Sequence, residues 1–266
     1  MKSKSGKTRN IIILSGSMLL LIAAIAFVLI RNFNINTASA IPAAKKIPGL
    51  VLYYPFDGNA KDLSGNNTNG DVHGAVLAAD RFGKQKRAYY FDGIDDSITF
   101  DATKLPTGSS PRTISAWIEA DSFPPPAPQL PSIGSRATII GWGHDDLEQL
   151  SNMEIVNNRL TLHIYGQDAM SRKDVGLDEW YHLVIVYSGQ KYILYINGTA
   201  EESEAPVLNT VDLPGRIGAF PDQSAKGLYF PNGYDMSYFH GVIDEVSVFN
   251  QALTSEQVMM LYNEGR

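Results

Sequence analysis

The chain has 266 residues, of which 44% are apolar and 19% charged, and it contains no cysteine. The missing cysteines exclude disulfides and thiolate metal sites, while the apolar share is enough for a sizeable core and argues against a disordered chain. Four of the 22 basic residues fall in the first nine positions, so the rest of the chain carries 18 against 28 acidic residues, an excess that makes nucleic acid an unsuitable partner.

Residues 1–10 form a basic segment with Lys2, Lys4, Lys7 and Arg9. The run from Ile11 to Ile30 follows, without a charge. Twenty helical residues span about 30 Å, the thickness of a bilayer's hydrocarbon core, and the basic flank stays cytoplasmic. This predicts a single-pass transmembrane helix in the cell membrane, with everything after it extracytoplasmic. The run is longer than the ~7–15 residues of a signal-peptide core, which favours a retained signal-anchor. Ala38-Ser39-Ala40 has the A-x-A pattern of a peptidase site, which leaves secretion after cleavage near Ala40 as the alternative. Residues 31–48, polar and alanine-rich, read as a linker, and residues 49–266 read as one globular domain.

From Gly49 onward, short β-branched and aromatic runs alternate with Gly, Asn, Asp and Pro clusters. The runs are Leu50 to Phe56, Gly74 to Leu77, Arg87 to Asp92, Ser97 to Phe100, Thr113 to Ala120, Thr138 to Trp142, Leu160 to Tyr165, Trp180 to Tyr187, Tyr192 to Asn197 and Gly241 to Phe249. That rhythm predicts an all-β, two-sheet antiparallel sandwich. "EWYHLVIVY" and "KYILYING" form a hairpin through Ser188-Gly189-Gln190, and Asn197-Gly198 offers type I′ turn chemistry for a second one. Both strands are apolar on both faces, so both faces are expected to be covered. One short C-terminal helix is predicted, opened by the capping box Thr254-Ser255-Glu256-Gln257, with Met259, Met260 and Tyr262 as core contacts.

Two segments break the rhythm. Asp121 to Arg136 is proline-rich and reads as an extended loop, whereas Phe220 to Phe239 mixes aromatic and polar residues as a binding rim does. Within that rim Tyr229, Asn232, Tyr234 and Asp235 have the chemistry to stack on sugar rings and hold their hydroxyls. Trp142 and His144, where a loop leaves a strand, are a second candidate contact, although His144-Asp145-Asp146 also reads as a solvated turn. On the next strand His163 and Tyr165 share a face with Thr161 and are candidates for a binding floor. Trp117 and Trp180 are assigned to the core.

With the strands placed, the phrases "YYPFDGNAKDLSGNNTNG", "AYYFDGIDDSITF", "TISAWIEAD", "EWYHLVIVYSGQKYILYING" and "FHGVIDEVSVFNQALTSEQVMMLYNEG" resemble the laminin-G-like, concanavalin A-like jelly-roll domains of exported bacterial proteins. The resemblance implies two stacked antiparallel sheets with the first and last strands side by side. It also implies binding of glycans or of cell-surface proteins more often than catalysis, since fold alone does not decide function. Asp244 shares strand parity with Val242, Val246 and Val248 and is expected to point into the sandwich, where a carboxylate needs a partner. A family-type Ca²⁺ site would draw on Asp57, Asp62, Asn66 and Asp244; the other reading makes the loop residues turn formers and gives Asp244 backbone amides or an arginine.

The glucanases of this fold carry a motif resembling E-x-D-x-(x)-E. Here Glu119 and Asp121 begin it, but Ser122, Phe123, Pro124 and Pro125 follow where the second glutamate is required. No G-x-S-x-G elbow, H-E-x-x-H helix or Walker loop occurs either. The expected function is therefore non-catalytic extracytoplasmic binding of carbohydrate, with a protein-interaction module as the alternative and a glycoside hydrolase as the less favoured one.

Overall fold

The computed structural model describes residues 41–125, 134–146, 148–164, 168–204, 207–221 and 237–264. Among these, fifteen strands build two antiparallel sheets. The eight-stranded sheet runs β13 (Thr199–Ser203), β12 (Tyr192–Ile196), β11 (Trp180–Tyr187), β6 (Arg112–Ser122), β15 (His240–Phe249), β4 (Ala88–Asp92) and β3 (Val76–Ala78), with β1 (Leu50–Tyr54) also on β15. The seven-stranded sheet runs β10 (Ala169–Asp174), β9 (Arg159–His163), β8 (Leu150–Val156), β7 (Arg136–Gly143), β14 (Gly215–Ile217), β5 (Ser97–Phe100) and β2 (Asp71–His73). Five of these strands, β2, β8, β10, β13 and β14, lie outside the ten apolar runs read from the sequence, because they are short or carry polar side chains.

The main core lies between the sheets. Ile114, Ala116, Ile118 and Ala120 of β6 and Leu183, Ile185 and Tyr187 of β11 meet Met153, Ile155, Leu160, Leu162 and Trp142 of the opposite sheet. Strand alternation thereby sends Thr113, Ser115 and Trp117 to the outer face of the eight-stranded sheet. A second core forms there, because a four-residue helix α1 (Ala43–Lys46) and the C-terminal helix α2 (Ser255–Tyr262) cover Tyr53, Val184, Val186, Tyr195 and Phe249 with Ala44, Val258 and Leu261. This explains why β11 and β12 are apolar on both faces. Trp117, buried as expected, belongs to this outer layer, where Tyr262 stacks on it at 5.8 Å. Met260, expected in the core, is 43% exposed, and Val258 and Leu261 take the buried positions of the helix.

Local chemistry accounts for the connections. Ile196 pairs with Thr199 across Asn197 and Gly198, whose φ values of 51° and 75° match the type I′ turn. The capping box forms as read: the Gln257 N–H donates to Thr254 Oγ1 at 3.3 Å and the Thr254 N–H to Gln257 Oε1 at 2.9 Å.

The first and last strands do lie side by side, but β15 has two partners on that edge. β4 pairs with His240 to Ile243 and β1 with Val246 to Phe249, and the register on β6 slips between Asp244 and Ser247. Glu245 sits in this bulge with φ of 51°. The bulge overturns the expected parity of Asp244. Ile243, Val246 and Val248 enter the inter-sheet core, while Asp244 is displaced to the outer face, 3.5 Å from Arg81.

Candidate functional site

Adjacent strands of the seven-stranded sheet bring a set of polar side chains to its outer face. On β8, Met153 and Ile155 point inward, so Asn152 and Glu154 point out; on β9, Leu160 and Leu162 point inward, so Thr161 and His163 point out. Asn152 is cross-strand from His163, and Glu154 from Thr138 of β7. Arg136 opens β7 and places Nη1 2.5 Å from Glu154 Oε1 and Nη2 3.4 Å from Asp168 Oδ2. His163 Nδ1 is 2.8 Å from Asp168 Oδ1 and 4.0 Å from Glu154 Oε1, and Nε2 is 3.7 Å from Asp145 Oδ1.

The burial of these groups sets their charge states. Burial alone would lower the His163 pKa, but the Asp145 and Asp168 contacts and the Glu154 charge push it up to about 9, so the ring is an imidazolium at neutral pH. Burial also acts on Asp168, yet His163 and Arg136 hold its carboxyl below the usual range. Glu154, with no exposed side-chain surface, is raised by burial against the pull of Arg136 and His163. Asn152 donates from Nδ2 to Glu154 Oε2 at 3.1 Å, while its buried Oδ1 has no hydrogen-bond partner among the described residues. Gly141 makes room for that oxygen: a Cβ there would come within 2.3 Å of Asn152 Oδ1 and 2.9 Å of Pro221. Phe220 lies beside the set, its ring 6.3 Å from that of His163, and the Thr138 N–H donates to Ser237 O at 2.7 Å.

A second polar cluster occupies the outer face of the eight-stranded sheet. Arg81 is held between the rings of Phe82 and Trp117, at 4.5 and 4.6 Å, and donates from Nη2 to the Glu264 carbonyl at 3.0 Å. Burial, then the neighbouring Glu245, push the Asp244 carboxyl up to about 9; Arg81 opposes this from a distance too long for a hydrogen bond. Glu245 accepts the Tyr53 hydroxyl at 2.7 Å, and burial raises its pKa to about 7. The Ala43 N–H donates to Glu264 Oε1 at 2.7 Å, tying α1 to α2 across the cluster.

Of the residues singled out from sequence, His163 stands at the centre of the first set. Trp142 does not: it is fully buried between the sheets, with Nε1 donating to Pro106 O at 3.1 Å, because the period of β7 turns it inward. His144 lies in the turn after β7, its N–H donating to Gln149 O at 3.2 Å. Tyr165, Tyr229, Asn232, Tyr234 and Asp235 lie outside the described residues, as does the apolar run 11–30. The expected calcium ligands are each engaged separately. Asp57 pairs with Arg87, Asn66 donates to Val51 O at 2.8 Å, and Asp244 faces Arg81. Asp62 accepts the N–H groups of Tyr53, Ser64 and Thr68 at 3.0, 2.9 and 3.1 Å, a turn-forming role. Among the described residues, the metal-type groups within 4.8 Å of one another are Glu154–His163–Asp168 and Asp92–Asp95–Asp96, and neither includes any of these four.

Sequence reading missed Arg136, Asn152, Glu154 and Asp168. A signal existed in "LSNMEIV": two polar residues two apart in an apolar run share one face.

A family model described as the concanavalin A-like lectin/glucanases superfamily, in its laminin-G form, matches residues 92–259. The chain belongs to this superfamily. Solved structures share the fold at low identity. Domain 4 of AbnA, a GH43 extracellular arabinanase from Geobacillus stearothermophilus, solved with arabinotriose, is 19% identical with a TM-score of 0.54, covering 80% of this chain and 98% of that one. The binding domain of Paraclostridial Mosquitocidal Protein 1 is 19% identical with a TM-score of 0.62, over 83% of this chain and 52% of that one. The binding domain of botulinum neurotoxin serotype D is 16% identical with a TM-score of 0.57, over 80% of this chain and 50% of that one. The chain thus spans about half the length of the two toxin domains. No curated protein matches the sequence significantly. Among the described residues no helix is long and apolar enough to cross a membrane.

Proposed function

We propose that residues 42–266, a unit that begins seven residues earlier than the sequence suggests because Ala43, Ala44 and Ile47 are buried in its second core, form a non-catalytic glycan-binding domain displayed outside the cytoplasm by the apolar run Ile11 to Ile30. The observation that carries this reading is the outer face of the seven-stranded sheet, where Arg136, Asn152, Glu154, His163 and Asp168 form an oriented set of donors and acceptors beside the Phe220 ring. Sugar hydroxyls are held by planar charged and amide groups, and sugar rings stack on aromatic side chains. The arabinotriose complex of a similarly folded domain supports carbohydrate as the ligand class.

Two features favour binding over hydrolysis. Retaining and inverting glycosidases need two carboxyl groups flanking the scissile bond. Glu119 of the partial motif faces outward from the other sheet, cross-strand from Val242 and Trp180, and the buried Glu154 is already engaged by Arg136 and Asn152. The test is a glycan array that includes arabino-oligosaccharides, run with and without Ca²⁺ on wild type and Asp168→Asn. Saturable binding weakened by the substitution is expected. A silent array at high protein concentration, or turnover of a bound glycan, overturns the reading. The toxin binding domains of the same fold favour a protein receptor as the second reading, which pull-down of a cell-surface protein by an array-silent domain would establish.

A further inference from the structure

We propose that the loop from Asp80 to Arg87, together with helix α1 and the loop that follows β1, forms a surface that docks on an anionic lipid membrane. The inference rests on the reading of Ile11 to Ile30 as a membrane anchor and gives the displayed domain an orientation.

Strand pairing brings the three segments to one corner. β1 ends with Tyr54 opposite Val246, and Tyr89 near the start of β4 pairs with Ile243, so the loops after β1 and before β4 meet at the Glu245 bulge. The Gly58 N–H donates to Lys86 O at 2.8 Å, and Arg87 pairs with Asp57. Arg81 Nη2 and the Ala43 N–H both donate to Glu264, which draws α1 to the same corner. Asp80 Oδ1 accepts the Phe82 and Lys84 N–H groups at 2.9 and 2.8 Å and turns the loop tightly around Phe82.

The charge of this corner is opposite to that of the chain. Residues 42–64 and 80–87 hold seven basic residues against three acidic ones, whereas the chain as a whole holds 22 against 28. Lys45, Lys46, Lys61, Lys84 and Lys86 are exposed; of the acids, Asp57 is paired with Arg87 and Asp62 is buried under backbone amides. Phe82 and Leu63 stand among them, 45% and 42% exposed, with the Phe82 ring 4.5 Å from the Arg81 guanidinium and 5.5 Å from Lys84 Nζ. An aromatic ring flanked by lysines suits an anionic bilayer, since the ring enters the headgroup region while the cations stay at the phosphates.

The chain itself brings this partner within reach. Residues 31–41 separate the apolar run from α1 and extend no farther than about 40 Å, so an anchored domain stays at a high effective concentration over the lipid. The acidic remainder of the domain is repelled by the same surface. Because α1 and α2 cover the eight-stranded sheet, docking at their corner leaves the outer face of the seven-stranded sheet free for a ligand.

The test uses the full chain in proteoliposomes containing phosphatidylglycerol, compared with phosphatidylcholine alone. With no native cysteine, one introduced cysteine can carry an environment-sensitive fluorophore: Gln85→Cys in the loop, Arg172→Cys on β10 at the far edge of the sandwich, or Leu20→Cys in the apolar run. Spin-labelled lipid should quench the Gln85 probe in anionic vesicles but not the Arg172 probe, and high salt should weaken the effect. Each lysine near an anionic surface is worth about fivefold, so Lys84→Gln with Lys86→Gln should lower the ratio of docked to free domain about twentyfold. Phe82→Ser should lower it as well. A quenched Leu20 probe with an unquenched Gln85 probe overturns the docking and leaves the anchor standing. An unquenched Leu20 probe rejects the anchor, and sedimentation with phosphatidylglycerol vesicles then decides the docking: pelleting that the lysine variants lose supports it, and no pelleting overturns it. Equal quenching in phosphatidylcholine overturns it too. So does a Gln85 response that follows protein concentration instead of lipid, which would mark a second copy of the chain on this face.

Discussion

Each sheet of this sandwich buries acidic groups on its outer face against a single arginine, and the two clusters resolve the charge differently. On the eight-stranded sheet, Arg81 faces Asp244 and Glu245 beneath the helices, and both carboxyls are pushed up, to about 9 and about 7. On the seven-stranded sheet, Arg136 is joined by the His163 imidazolium, and Asp168 is held down instead. The second cation keeps Asp168 below its usual range, while burial still raises Glu154 beside it. The first cluster therefore works as packing that fastens β1 and the C-terminal helix, whereas the second joins β7, β8 and β9 through ion pairs on the outer face of the other sheet.

The largest effect is expected at the arginine of the packing cluster. Arg81→Met should cost about 3–5 kcal/mol above pH 9, where Asp244 is ionised and left unpaired, and clearly less at pH 5, where it carries its proton. Urea denaturation at the two pH values checks this. On the other face, a histidine whose folded pKa lies above its unfolded one adds stability that is complete below about 6.5 and is lost as pH rises through about 9. His163→Gln, measured in EDTA, should therefore cost on the order of 3 kcal/mol at pH 6 and little above pH 9.

Glu245→Gln sharpens the contrast in the opposite direction. The native state holds the Glu245 proton more tightly than the unfolded chain does, so wild-type stability declines as pH rises from 4.5 to about 7. The substitution should flatten that part of the stability–pH curve while the amide still meets the Tyr53 hydroxyl. Thr254→Ala removes one half of the α2 capping box and should cost about 1 kcal/mol, seen as a small drop in melting temperature without a change at the seven-stranded face.

Much of the framework was legible because it rests on short-range rules. The β11–β12 hairpin, the Asn197-Gly198 turn and the Thr254 cap depend on residues within a few positions of one another. Strand β8 was not legible, since Asn152 and Glu154 interrupt its apolar run and belong to an outer-face network rather than to the core. The candidate site was legible only in part. His163 was visible as an outward residue on a clear strand, but Arg136, Glu154 and Asp168 come from three other segments that no spacing connects.

Alternation and turn chemistry are properties of the local backbone, so the two-sheet antiparallel sandwich, its strongest hairpin and the cap of its last helix can be read from the chain alone. Which way Asp244 faces depends instead on long-range strand pairing. The Glu245 bulge shifts the strand by one residue where β4 hands the edge of β15 to β1, and a one-residue shift exchanges the two faces of a sheet. The partners of the buried charges were decided in the same way, by residues distant in the chain, as where Glu154 of β8 meets Arg136 of β7 and His163 of β9 lies across from Asn152.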